Sequence, residues 1–106
     1  MPYLIAIAKF PSHTGNAVGK TYIEMLKKYP PDNSLGEDLI PAAVKRTSKG
    51  VTSITITEVK KGKLEEAFKR SMDQLAMFND IQGYEVSLEV WSTVGEALAT
   101  IGMKMP

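Results

Sequence analysis

The sequence predicts an α+β fold: a four-stranded antiparallel sheet with two helices packed on one face. Three observations carry that expectation. Residues 51–91 read as strand, turn, amphipathic helix, turn, strand (VTSITITEV, KKGK, LEEAFKRSMDQLAMF, NDIQG, YEVSLEVW), a βαβ unit whose strands run parallel in one sheet. The chain before it repeats the pattern more loosely. The first strand is apolar on both sides, as a central, doubly covered strand is. The order βαββαβ, followed by a short C-terminal helix, gives the split βαβ arrangement with strand order 4-1-3-2. One domain is expected to span residues 1–106.

Each element has its own local justification. Tyr3 to Phe10 places Leu4, Ala6, Ala8 and Phe10 on one face and Tyr3, Ile5 and Ile7 on the other, with Lys9 the only interruption. Pro11 ends this strand because it cannot donate to a ladder. Ser12, Thr14 and Asn16 are three candidate N-caps for a helix reaching about Tyr29. Val18, Tyr22, Met25, Leu26 and Tyr29 fall at helical spacing and are expected to form its buried stripe, and Pro30-Pro31 stops it. After a polar connection from Asp32 to Asp38, a second strand is expected over Leu39 to Thr47. Pro41 assigns it to an edge or puts that residue at a strand start. Ser48-Lys49-Gly50 reads as a hairpin turn. In the third strand Ile54 and Ile56 alternate with Ser53, Thr55 and Thr57. The second helix is expected to bury Leu64, Ala67, Phe68, Leu75 and Phe78, with Met72 and Met77 beside that stripe. The last strand sets Tyr84, Val86, Leu88 and Val90 against Glu85, Ser87, Glu89 and Trp91. Thr93 and Glu96 form a capping box for the final helix, and Gly102 suits its C-terminal cap.

Composition narrows the function classes. Of 106 residues, 43% are hydrophobic and 24% charged, and 13 Lys and Arg balance 12 Asp and Glu. A net charge of +1 gives no electrostatic reason to expect nucleic acid or an anionic membrane as partner. The absence of cysteine excludes disulfides, thiolate catalysis and thiolate metal sites. The apolar run in MPYLIAIAKF has no basic leader and is far shorter than the roughly 20 residues a membrane span needs. A cytoplasmic location is expected. Two helices cover only one face of such a sheet. The other face, carrying Tyr3, Ile5 and Ile7 or their alternates with Trp91 near its border, should find a cover.

The element order, the length and the half-open sheet, together with GYEVSLEVWSTVGEALATIGMKMP following KLEEAFKRSMDQLAMF, resemble the dimeric α/β-barrel superfamily. There, two ferredoxin-like subunits place their open sheet faces together. The resemblance is one of architecture over nearly the whole chain. It implies a homodimer, or a higher oligomer built from dimers, and the row expected between the two sheets is Ile5, Ile7 and Thr55. That superfamily includes cofactor-independent monooxygenases, lactone isomerases and haem enzymes, as well as members without known activity.

Individual motifs add little chemistry. Gly15-Asn-Ala-Val-Gly19-Lys20-Thr21 follows a strand and enters a helix. It has three residues between its glycines where a phosphate-wrapping loop needs four, and its second half fits the helical stripe. His13, the only histidine, sits in a strand-to-helix loop. Only its near-neutral reference pKa recommends it as an acid or base, and a solvated loop histidine is the plainer reading. One histidine cannot build a multi-histidine metal site, and no metal or cofactor is expected. Lys9 should lie near Glu85, and Tyr3 near Glu89 and Trp91. Glu85 and Glu89 are about 13 Å apart along one strand, too far for a glycosidase pair. The row Ser53, Thr55 and Thr57 could line a polar cavity or reflect strand propensity alone. The expected function is a small-molecule pocket between sheet and helices lined by His13, Lys9, Tyr3, Tyr22 and Trp91. The resemblance implies cofactor-independent monooxygenase or isomerase chemistry for it. The alternative is a non-enzymatic homo-oligomeric structural or regulatory ligand-binding module.

Overall fold

The structure is a computed structural model describing residues 1–106. Its elements are β1 (Tyr3–Phe10), a 3-10 turn (Ser12–Thr14), α1 (Gly15–Lys28), β2 (Gly36–Thr47), β3 (Gly50–Val59), α2 (Leu64–Ala76), β4 (Glu85–Trp91) and α3 (Val94–Ala99). The strands form one sheet in the order β2-β3-β1-β4, every neighbouring pair antiparallel. This is the 4-1-3-2 order, so the fold is ferredoxin-like α+β. β3 and β4 run in the same direction with β1 inserted between them, as the split βαβ pattern requires. No helix is long and apolar enough to cross a membrane.

Residues 36–38 pair with β3, so β2 begins before the expected Leu39. Gly36 permits this: a Cβ there would collide with the carbonyl oxygen of Glu58. β2 pairs with β3 alone, and its register shifts on both sides of Ile40. The shifts absorb Pro41, which an edge strand tolerates because one row of amides needs no partner. At the other end of the hairpin, Gly50 takes φ 121° beside the two-residue turn Ser48-Lys49.

The register sorts the side chains cleanly. Ala6 pairs with Thr55 and Leu88, and Ala8 with Ser53 and Val86. These residues face the helices. On the opposite face four cross-strand rows run from β2 to β4: Lys45, Thr52, Lys9, Glu85; Ala43, Ile54, Ile7, Ser87; Ile40, Ile56, Ile5, Glu89; and Glu37, Glu58, Tyr3, Trp91. Its centre is therefore apolar and its ends carry charge. The Cα atoms span 48 × 31 × 18 Å. The short dimension holds one helix layer and one sheet, and on the face away from the two helices Ile5 is buried while Ala43 and Ile40 are exposed.

The core is thin. Only 7 of 106 residues are buried. Leu4, Val59 and Ala67 form a cluster, with Leu35, Leu64, Phe68 and Leu88 packed against it beneath α2. Ala67 and Phe78 are buried as expected, whereas Leu64, Phe68 and Leu75 of the same stripe are only half-buried, and Met72 beside it is exposed. α1 differs from expectation: its stripe turns toward the sheet, yet none of its residues is buried, because the helix stands off the strands. Its three candidate caps also go unused. Thr14 occupies the N-cap position without accepting from the helix; its hydroxyl donates to the Pro11 carbonyl at 2.8 Å. α3 is capped as expected: the Glu96 amide donates to Thr93 Oγ1 at 3.1 Å, and the Thr93 amide to Glu96 Oε1 at 2.8 Å. The Met1 ammonium adds an ion pair to Glu96 at 2.9 Å. Gly102, at φ 75°, lets the Met103 amide return to the Leu98 carbonyl at 2.9 Å.

Candidate functional site

The gap beneath α1 is a cavity of about 720 Å³ between the sheet and both helices. It exists because the helix-facing residues at the middle of the sheet are small. Ala6 and Ala8 on β1, and Ser53 and Thr55 on β3, make a floor too low to reach the helix stripe. Tyr22, Met25, Leu26 and Tyr29 of α1 form the roof, and Ala67, Gln74 and Leu75 of α2 form one side. The side along β2 is open, and Val44 on that rim is 66% exposed.

The two ends differ chemically. One is closed by aromatic rings: Tyr84 stacks on Phe78 at 4.8 Å between centroids and on Phe10 at 5.9 Å. Burial pushes the Tyr84 phenol up to about 12, since the uncharged form is favoured where water is scarce. The other end is polar. Thr57 Oγ1 donates to Asp38 Oδ1 at 2.8 Å. Asp32 accepts from the Ser34 hydroxyl and amide, and those bonds hold its carboxyl below the ordinary value. Arg70 donates to the Pro30 carbonyl and lies 5.7 Å from the Tyr29 ring centroid, tying α2 to the end of α1.

Of the five residues expected to line a pocket, Tyr22 alone lies on this wall. Lys9, Tyr3 and Trp91 alternate with the helix-facing positions and belong to the open face of the sheet. Tyr3 sits directly opposite Trp91, and Lys9 opposite Glu85, but no ion pair forms between Lys9 and Glu85. Glu89 instead accepts from Trp91 Nε1 at 2.7 Å and Ser87 Oγ at 2.9 Å, and those bonds depress its pKa. His13 lies in the 3-10 turn, exposed, outside the cavity wall and without a side-chain hydrogen bond. A general base needs hydrogen-bond reach to its substrate and a group to orient it. His13→Ala is accordingly expected to leave ligand binding unchanged in a fluorescence titration. Residues 15–21 are helical from Gly15 onward, so the glycine-lysine segment forms no phosphate-wrapping loop.

The hydroxyl row does reach the cavity, with Thr55 also donating to the Pro41 carbonyl at 3.2 Å. Arg46, Asp38, Arg70 and the aromatic stack escape sequence reasoning, because each is brought to the wall by sheet register or by a loop. The available signal is the pairing of small residues, Ala6 and Ala8 against Ser53 and Thr55, on two strands that the split βαβ order makes neighbours.

Fold and cavity together define a ferredoxin-like α+β protein with an apolar chamber between its two layers. No family model, no curated protein and no solved structure matches the chain.

Proposed function

We propose that this chain is a homodimeric small-molecule-binding protein of the dimeric α/β-barrel type. The observation that carries the binding role is the cavity, which is mainly apolar and walled by small residues below and aromatic residues above. Its volume falls within the range of roughly 300–1,000 Å³ typical of ligand sites. Binding is favoured over catalysis because the candidate proton carriers are committed or absent: His13 is outside, Asp32 is held ionised by Ser34, and Asp38 is engaged by Thr57. An isomerase or monooxygenase role would fall to Asp38, the one carboxylate beside the hydroxyl row.

The dimer is supported by the open face. Its six central positions, Ala43, Ile54, Ile7, Ile40, Ile56 and Ile5, are all apolar. The row at one end carries two cations, Lys45 and Lys9, against one acid, Glu85, and that at the other carries Glu37 directly opposite Glu58. Like charges directly across a strand pair are destabilising, and no cation of the same chain pairs with either glutamate. A two-fold axis in the interface plane, perpendicular to the strands, lays the basic end of one subunit over the acidic end of the other. The partner's Lys45 then supplies the missing countercharge.

The binding role is tested with N-phenyl-1-naphthylamine, a neutral apolar fluorophore. Ser53 makes no side-chain hydrogen bond, so Ser53→Leu fills the floor without orphaning a group. The substitution is expected to weaken dye binding by about tenfold, roughly 1.4 kcal/mol, because the isobutyl group occupies floor space the dye would fill, with the melting temperature held or raised. Unchanged dye affinity in Ser53→Leu would remove the cavity as the binding site.

A further inference from the structure

The cavity wall carries one ionic side chain that no other group of the chain contacts. Four ionic side chains line it: Asp32, Asp38, Arg46 and Arg70. The first two accept hydrogen bonds from Ser34 and Thr57, and Arg70 is held by the Pro30 carbonyl and the Tyr29 ring. Arg46 forms no ion pair and no side-chain hydrogen bond. It stands on the helix-facing side of β2, opposite Val51, which is in turn opposite Phe10. Arg46 is exposed and stands at the rim of the cavity, one cross-strand pair from Val44 and Ser53. The two aspartates lie far off. Asp38 pairs with Thr57 and Arg46 with Val51, six residues apart on β3, or about 20 Å.

We infer, resting on the binding role above, that the occupant is a monoanion: a carboxylate or sulfonate head on an apolar, largely aromatic body. The head meets Arg46 at the β2 rim. The planar guanidinium fork donates two parallel N–H bonds to such a head, which an ammonium cannot match. The body lies over Ala8 and Ser53, beneath Tyr22, and covers the exposed Val44. At the far end Asp32 and Asp38 outnumber Arg70, which the Pro30 carbonyl and the Tyr29 ring already hold, so a negative head is less favoured there. A cationic ligand would take the opposite orientation, and a neutral one would leave Arg46 to solvent.

Two dyes separate these cases. 8-Anilinonaphthalene-1-sulfonate carries a sulfonate that N-phenyl-1-naphthylamine lacks, on the same aromatic body, and both fluoresce on entering apolar sites. At moderate salt the sulfonate dye is expected to bind about tenfold more tightly, as one charge-assisted interaction gives. Arg46→Gln should abolish that advantage and leave the neutral dye unaffected. Lys49→Gln makes the same change in net charge from the exposed hairpin turn, outside the cavity wall and without an ion pair, and should alter neither dye. Equal binding of both dyes by the wild-type protein overturns the inference without any variant. So does a sulfonate-dye loss shared equally by Arg46→Gln and Lys49→Gln, which would mark long-range charge in place of a contact. Neither of those outcomes touches the binding role. Failure of both dyes to bind removes the binding role and this inference together.

Discussion

Ile7→Asp is expected to turn a dimer into a monomer, or to leave a chain that does not fold at working concentration. Ile7 occupies the second row of the open face, between Ile54 and Ser87. Two sheets packed face to face sit about 10 Å apart with their side chains interdigitated. A carboxylate in that layer has no cation within its own row. Burying it unpaired is opposed by several kcal/mol, applied once per subunit and therefore twice per interface. The free chain leaves part of this face apolar and exposed: Trp91 is 53% exposed and Ile40 is also exposed, Ile7, Ile54 and Ile56 are half-buried, and Ile5 alone is buried. Light scattering on the wild-type protein should return twice the 11.6 kDa chain mass, and Ile7→Asp the single mass. The wild-type melting temperature should climb with protein concentration, as mass action requires when only the dimer is folded tightly. A wild-type protein that stays monomeric at micromolar concentration would sink the dimer outright. The test does not depend on how well the variant folds.

The strand order was legible because it needs only the sequence of elements and the handedness of crossovers. Both sheet faces were legible on β1, where strict alternation separates Leu4, Ala6, Ala8 and Phe10 from Tyr3, Ile5 and Ile7. Transferring that alternation to a neighbouring strand requires the register. A face built on Ile5 and Ile7 takes Ile54 and Ile56 from β3, while Thr55 goes to the helix side opposite Ala6. The register also explains the site. Lys9, Tyr3 and Trp91 are chemically attractive, but parity puts them on the face away from the helices. The distance between α1 and the sheet was the other illegible quantity. A helical stripe of Val18, Tyr22, Met25, Leu26 and Tyr29 says which way the helix faces. How deeply it sinks is decided by the bulk beneath it, and Ala6, Ala8, Ser53 and Thr55 supply little. Pairing across the edge escaped composition as well: Glu37 and Asp38 read as polar loop, yet backbone hydrogen bonds to β3 make them strand.

Phe78→Ala is expected to be the most destabilising truncation in the chain, at about 3–5 kcal/mol. Few side chains in this thin core are as fully enclosed. Phe78 is 3% exposed, held just beyond α2 by its amide bond to the Leu75 carbonyl at 3.0 Å. Its ring stacks at an interplanar angle of 12° on Tyr84, whose other neighbour is Phe10, so one ring joins the end of α2 to β4 and β1. Removing it forfeits the transfer free energy of a phenyl group. It also opens a void that the cavity next door extends rather than one the core can close. For a domain with a total stability of about 5–15 kcal/mol, that loss approaches unfolding, and urea denaturation should show a lower midpoint with an unchanged slope. The same change lets water reach Tyr84. In the wild-type protein the phenol holds its proton to about 12 against an ordinary 10.0. The unfolded chain therefore releases that proton first, and stability falls as pH rises from 10 toward 12 while staying flat below. Phe78→Ala should bring the phenol back toward its ordinary value, seen as an earlier tyrosinate absorbance, and should shrink that alkaline loss. A destabilisation below about 1 kcal/mol, the size of an ordinary surface change, would show that the three rings are not what holds this end of the cavity closed.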